Sequence, residues 1–299
     1  MEELLESCEL CPRNCKINRN KGETGFCRVG IKPKIALISL HKYEEPCISG
    51  QKGSGTVFFS GCNLNCVYCQ NYEISQKESV KELTIEELSN EFLRLQKEGA
   101  NNINLVTGFA LVPQIIEAIK IAKQKGLNIP IIYNTSGYES LETIKLLNGY
   151  IDVYLPDLKY YYNDLGKKLS NINNYFEIAT LAIKEMIRQV GSPQFDENGL
   201  IKKGVIIRHL VLPNHIQNSK MILKWIKKNI KDNIYVSIMA QYFPTYKAFE
   251  LDDINRKLTK EEYEEIEEYV NRINLNNGYM QYLEENEEKY VPEFNNGNL

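Results

Sequence analysis

From Val57 onward, short β-branched runs alternate with longer amphipathic segments, and this alternation restricts the fold more than any other feature of the chain. The apolar runs are TVFFSG, NINLVTG, IPIIYN, IDVYLPD, GVIIRHLVLP and IYVSIMAQ. Between them lie TIEELSNEFLRLQKEG and VPQIIEAIKIAKQKG, the second with apolar residues at i, i+3, i+4 and i+7 of one helix face. SLETIKLLN, FEIATLAIKEMIRQV, SKMILKWIKKNI and TKEEYEEIEEYVNRI continue the pattern. Thr84 followed by Glu87 has the form of a capping box, and Gly99 and Gly126 stand where helices end. Roughly six β/α units follow, with parallel strands joined by right-handed crossovers. Strands so continuously apolar are covered on both faces. The predicted class is α/β, an open partial (β/α)6 barrel in preference to a flat doubly wound sheet. No internal repeat or low-complexity linker interrupts it.

Residues 1–50 differ in character, being rich in cysteine, glycine and proline with one clear strand, KIALISL, at residues 34–40. The expected organisation is a small cysteine-rich metal-binding region over residues 1–50, then a barrel with a C-terminal extension over residues 51–299. The 299 residues are 43% hydrophobic and 25% charged, the balance of a globular protein able to bury a large core. A net charge of -3 leaves no basic footprint for nucleic acid. No run approaches the ~18 apolar residues of a membrane span, and the acidic start MEELLESCEL is unlike a secretory signal. A cytoplasmic protein is expected. There, eight cysteines confined to the first 69 residues point to metal rather than disulfides.

In β/α barrels the chemistry sits on loops leaving the C-terminal ends of the strands. The first such loop carries Cys62, Cys66 and Cys69, spaced C-x3-C-x2-C, with Tyr68 before the last cysteine. Three thiolates can hold three irons of a [4Fe-4S] cluster and leave the fourth iron open to another ligand. The alternative is a zinc site completed by Cys47 in EEPCISG. Cys8, Cys11, Cys15 and Cys27 form a second set, C-x2-C-x3-C-x11-C, with Pro12, Gly22 and Gly25 as turn residues. Four thiolates in a region with little core of its own point to a metal that folds it. Zinc is the first choice and a second iron–sulfur cluster the alternative, although the spacing is not that of a bacterial ferredoxin. Cys47 is left over, either a small buried hydrophobe or a cysteine beside the active site.

The three-cysteine loop at the end of the first barrel strand resembles the radical SAM superfamily. CELCPRNC, GETGFC, EEPCISG, GSGTVFFSGCNLNCVYCQNYEIS, YNTSGY, VYLPDLKY, IRHLVLP and AQYFPTYKA are together similar to PflX-type relatives of pyruvate formate-lyase activating enzyme. The resemblance spans residues 8–246. It implies that the open iron binds S-adenosylmethionine, and that one electron cleaves the sulfonium to methionine and a 5′-deoxyadenosyl radical. A low-potential donor such as flavodoxin or ferredoxin supplies that electron.

The resemblance also gives roles to other strand ends. Asn134-Thr135-Ser136-Gly137 and Asp157-Leu158-Lys159 are similar to an Asp-Thr-Asn-Gly and an Asp-Leu-Lys segment of glycyl-radical activating enzymes. Lys159 is then a contact to the carboxylate of S-adenosylmethionine, and Thr135 and Asp157 are polar contacts to cosubstrate or cation. Asn134 stands where those relatives carry a carboxylate. Many superfamily members end the second strand with Gly-Gly-Glu, which receives the methionyl amine; here Thr107-Gly108-Phe109-Ala110 offers Thr107 and backbone carbonyls instead. Arg208 or His209 at the fifth strand faces inward by alternation, and Gln241 and Tyr242 end the sixth. The expected function is radical SAM catalysis, with three readings of its purpose left open. One is activation of a glycyl-radical protein. Another is modification of a small molecule or peptide, and the third is a metal-binding or electron-transfer scaffold without turnover.

Overall fold

The computed structural model describes residues 3–76, 80–230, 234–283 and 294. The rest of the expected C-terminal extension, residues 284–293 and 295–299, lies outside the described residues. The strands are β1 (Lys34–His41), β2 (Ser54–Phe59), β3 (Lys81–Glu82), β4 (Ile103–Val106), β5 (Ile131–Thr135), β6 (Val153–Pro156), β7 (Gln194–Phe195), β8 (Ile201–Leu210), β9 (Tyr235–Met239) and β10 (Gly278–Met280). The helices are α1 (Glu3–Glu6), α2 (Pro46–Ser49), α3 (Tyr72–Gln76), α4 (Ile85–Lys97), α5 (Val112–Gln124), α6 (Leu141–Leu146), α7 (Asn163–Ser170), α8 (Tyr175–Val190), α9 (Ile216–Asn229) and α10 (Lys260–Arg272).

Strand order decides between barrel and doubly wound sheet. The sheet runs β10-β9-β8-β6-β5-β4-β2-β1-β3, and every pair from β2 to β10 is parallel. A doubly wound sheet reverses direction at a switch point. Here each new parallel strand is added on the same side, so right-handed crossovers stack the helices along one face and the sheet curls into an open partial barrel. β2, β5 and β6 are buried at every position, as strands covered on both faces require. The Thr84 hydroxyl accepts from the Glu87 amide at 3.1 Å and the Glu87 carboxylate accepts from the Thr84 amide at 2.7 Å, fixing the start of α4. Thr259 and Glu262 start α10 in the same way.

Three features go beyond the six predicted units. β1 pairs antiparallel with β2 at the barrel's edge, so the N-terminal region contributes a strand to the sheet. β10 adds a further parallel strand beyond β9. Residues 160–174, which carry no legible motif, contain α7. No helix among the described residues is long and apolar enough to cross a membrane.

Candidate active site

The chain leaves β2 through Gly61, whose φ is +87°. A Cβ there would lie 2.4 Å from the carbonyl oxygen of Cys27, so the loop starts pressed against the N-terminal region and only glycine fits. The amides of Asn65 and Val67 donate to the carbonyls of Ser170 and Leu169 at 3.1 and 2.9 Å. These are among the last carbonyls of α7, which have no partner within their own helix. The cysteine loop is therefore seated on the end of α7. The segment after β9 closes over it: the Lys247 amide donates to the Val67 carbonyl at 2.9 Å, and Tyr246 stacks on Tyr72 at 5.0 Å.

Each thiol of the loop has a polar neighbour. The Leu64 amide donates to Cys62 Sγ at 3.4 Å, Cys66 Sγ lies 2.9 Å from Ser170 Oγ, and Cys69 Sγ lies 3.3 Å from Ser75 Oγ. From Ser170 a buried hydroxyl chain continues to Tyr160 at 2.6 Å and on to Tyr68 at 2.5 Å. Burial raises all three thiols, Cys66 to about 11, while the Lys159 ammonium draws each of them down. The Cys62 thiol is raised further by its neighbours Cys66 and Cys69. Among the described residues no three His, Cys, Asp or Glu side chains converge as one metal ion requires. A four-iron cluster takes one thiolate per iron, so its ligands need not meet at a point. Three neighbouring thiols with hydrogen-bonded sulfurs, Cys66 buried and Cys62 and Cys69 half-buried, suit that group, and its irons would supply the positive charge that burial withholds.

Cys66 and Cys69 face a cavity of about 210 Å³ at the C-terminal ends of the strands. Tyr68, Asn134, Asp157, Lys159, Arg208 and Gln241 line it, together with His41, Tyr43 and Glu44 from the end of β1. Arg208 is the hub. Its Nε donates to Asp157 at 2.9 Å, and its two terminal nitrogens reach Asn134 Oδ1 at 2.6 Å and Glu44 at 3.3 Å. Lys159 Nζ donates to the other oxygen of Asp157 at 2.6 Å. Burial alone would raise the Asp157 carboxyl, but Arg208 and Lys159 outweigh it and hold it below its ordinary value. The opposite balance holds at Glu44, where burial outweighs Arg208 and the Asn104 amide, raising its carboxyl.

Four of the candidate residues do not line this cavity: Cys62, Thr107, Thr135 and His209. His209 is fully buried on the helix side of β8, with Nδ1 2.7 Å from the Leu158 carbonyl and Nε2 2.8 Å from Ser219 Oγ. Burial lowers its pKa to about 4, which keeps the ring neutral. Strand alternation thus turns Arg208 inward and His209 outward. Thr135 hydrogen-bonds the buried Glu139 carboxyl, which burial pushes up to about 8. Thr107 has a φ of +63°, a conformation a β-branched residue rarely adopts.

The other four cysteines, Cys8, Cys11, Cys15 and Cys27, share one small cavity of about 10 Å³ under the N-terminal region, with Phe26, Val29 and Phe109 in its wall. Burial raises the Cys11 thiol to about 12, and Cys27 and Cys15 add to it. Cys47 sits apart, buried with Ile132, Val153, Leu155 and Ile206 of β5, β6 and β8 and beside the phenol of Tyr279.

Sequence reading passed over Glu44, Glu45, Ser170 and Tyr160. The two glutamates stand in plain view in KYEEPC, but only the fold carries this segment, which follows β1 past the start of β2, to where Glu44 meets Asn104, Asn134 and Arg208. Ser170 carried no signal at all.

Known proteins bear on this geometry. A family model described as the Radical SAM superfamily matches residues 56–215. A Methanocaldococcus jannaschii protein, MJ0674, which is itself uncharacterised, is 36% identical over 281 residues, covering 91% of this chain and 76% of that protein. The pyruvate formate-lyase-activating enzyme of Clostridium pasteurianum is 26% identical over 253 residues, 80% of this chain and 99% of that enzyme. Among solved structures, the FeFe-hydrogenase maturase HydG from Carboxydothermus hydrogenoformans superposes with a TM-score of 0.51 at 16% identity, over 73% of this chain. This chain spans about half the length of that structure (50%), and the likeness is one of fold.

Proposed function

This chain belongs to the radical SAM superfamily, and on that premise we propose that its strand-end cavity reductively cleaves S-adenosylmethionine on a [4Fe-4S] cluster held by Cys62, Cys66 and Cys69. The supporting observation is the meeting of Cys66 and Cys69 with Lys159, Asp157, Arg208 and Asn134 around one cavity. When bound, the reduced cluster supplies the electron that splits the sulfonium into methionine and a 5′-deoxyadenosyl radical. The protein's own residues bind and orient. Lys159, poised between Asp157 and the cysteines, offers its ammonium to the carboxylate of S-adenosylmethionine. Asn134, Arg208 and Gln241 present polar groups to the rest of the cosubstrate. Tyr68, with its hydroxyl held in the buried chain, closes the wall beside Cys69 and excludes water from the reacting atoms. At the end of β4, where Val106 lines the cavity and the chain turns at Thr107, backbone carbonyls are offered to the methionyl amine.

Cys8, Cys11, Cys15 and Cys27, which share one cavity without converging on a point, would close around a separate structural metal, zinc or a second cluster, in a cysteine-rich region over residues 1–50 whose β1 joins the sheet. The reductant is a low-potential carrier of the flavodoxin or ferredoxin kind. For the radical's destination, similarity to the Clostridium pasteurianum activating enzyme across nearly all of that protein supports a glycyl-radical partner. A second, half-open chamber beside the cavity, of about 340 Å³, is of a size for a small molecule or a single side chain as the group that enters. An electron-carrying scaffold without turnover has no use for either space.

The test is anaerobic reconstitution with iron and sulfide, followed by dithionite and S-adenosylmethionine. Wild-type protein should release 5′-deoxyadenosine, and Cys66→Ala should lose both the cluster's iron and the release. A Cys66→Ala protein that keeps both refutes the assignment.

A further inference from the structure

The second chamber shares Tyr43, Glu44, Arg208, Met239 and Gln241 with the cysteine-lined cavity, so the two spaces are separated by one wall of side chains. At about 340 Å³ it lies at the lower end of the range for ligand pockets, about 300–1,000 Å³. Its distinctive residue is Glu45. Only 8% of Glu45 is exposed, and its Oε2 is buried with no hydrogen-bond partner among the described residues. Glu45 occupies the N-cap position of α2 yet makes no capping hydrogen bond, so its carboxylate is not serving the helix. Burial raises its carboxyl, against which Arg208 and the hydroxyl of Ser237 favour the ionised form.

No neighbouring cation hydrogen-bonds it, although the charge of Arg208 opposes its own. All three nitrogens of Arg208 are engaged elsewhere, by Asp157, Asn134 and Glu44. Lys42 is an exposed residue at the chamber's rim. A buried carboxylate with an idle oxygen is costly unless a cation or donor meets it. The phenol rings of Tyr279 and Tyr282 in the same wall suit a cation as well. We propose that this chamber is a substrate subsite in which Glu45 receives a cationic nitrogen, an ammonium or guanidinium carried by the molecule presented to the radical. This rests on the reading that the adjoining cavity cleaves S-adenosylmethionine. The nitrogen belongs either to a free amine or guanidine or to a lysine or arginine side chain of a polypeptide.

The experiment titrates probes into reconstituted protein with S-adenosylmethionine present, by calorimetry. Methylguanidinium should bind at least about tenfold more tightly than its neutral isostere methylurea, the scale of one charge-assisted hydrogen bond. Glu45→Gln should lose about that factor for methylguanidinium and little for methylurea. A capped tripeptide with a central arginine separates the sources: selective binding of the peptide assigns a polypeptide side chain, and binding of the free probe alone assigns a small molecule. Equal binding of methylguanidinium and methylurea by the wild type overturns the proposal without recourse to any variant, as does an unchanged affinity in a folded Glu45→Gln protein. The same wild-type preparation is assayed for 5′-deoxyadenosine release. Release without cation selectivity sinks the subsite alone; selectivity without release sinks the radical reading and leaves the cation site standing.

Discussion

Replacing Arg208 with methionine removes the one group that bridges Asp157 and Glu44 in the cavity wall. In its absence Asp157 keeps Lys159 at 2.6 Å, while Glu44 keeps only amide donors, Asn104 at 2.9 Å and Asn134 at 3.4 Å. Glu45 loses the nearest opposing charge. Removing one partner of a buried ion pair costs roughly 3–5 kcal/mol, because the other charge is left uncompensated. That is a large share of the ~5–15 kcal/mol that separates a folded domain from its unfolded chain. The pH dependence follows from the carboxyls. Asp157 is held below its ordinary 3.8, so its stabilising contribution is present above that value and lost as pH falls through the lower folded value. Burial raises Glu44 and Glu45 above their ordinary 4.5, so their ionisation takes stability away as pH rises past 4.5. Without Arg208 both glutamates climb further, and the folded variant then binds more protons than its unfolded chain. The deficit of Arg208→Met should therefore be largest at pH 7 and shrink toward pH 5. Urea unfolding of the metal-free proteins, followed by the fluorescence of the single tryptophan, Trp225, measures it. A loss under about 1 kcal/mol at pH 7, or a deficit that widens on acidification, would refute the account of this network.

Two further outcomes are expected. Lys159→Met should weaken S-adenosylmethionine binding by roughly ten- to a hundredfold with iron content unchanged, since Asp157 retains Arg208 and only the charge-assisted contact is lost; equal affinities would mean that Lys159 serves Asp157 alone. A protein lacking Cys62, Cys66 and Cys69 should still carry zinc or iron at its N-terminal cysteines, and stripping that metal should unfold the region they cross-link; elemental analysis finding neither metal would end that assignment.

The strand ends were legible where one residue type in one place suffices. Parallel apolar runs announced β2, β4, β5 and β6, and the polar residues that follow them, Cys62, Asn134 and Asp157, could be read directly from the chain. Alternation required that one of Arg208 and His209 face inward but could not choose. The choice is visible only in partners 51 residues away at Asp157 and 164 away at Glu44. α7 was illegible because NDLGKKLS carries turn formers at its start and glycine in its middle, and its stability comes from packing Leu165 and Leu169 into the core. With α7 unseen, Ser170 had no reason to be placed beside Cys66. Glu45 was hidden for another reason. A glutamate before proline reads as an exposed turn, and only the folded chain buries it beside Ser237 of β9.

The same long-range contacts explain why one chain carries two sets of cysteines. Arg19, 1% exposed, donates from the N-terminal region to the carbonyls of Gly30 and of Ala110 beyond the end of β4. Arg13 donates to the carbonyl of Asn63 inside the cysteine loop at 2.9 Å and to that of Asn171 after α7 at 2.7 Å. Thr143 on α6 donates to the Leu10 carbonyl at 2.8 Å. The Cys27 carbonyl is the surface against which Gly61 must fit. The segment bearing Cys8, Cys11, Cys15 and Cys27 therefore clamps both ends of the platform that carries Cys62, Cys66 and Cys69. A metal bound at those four thiols would in turn bear on the position of the loop that carries the other three cysteines.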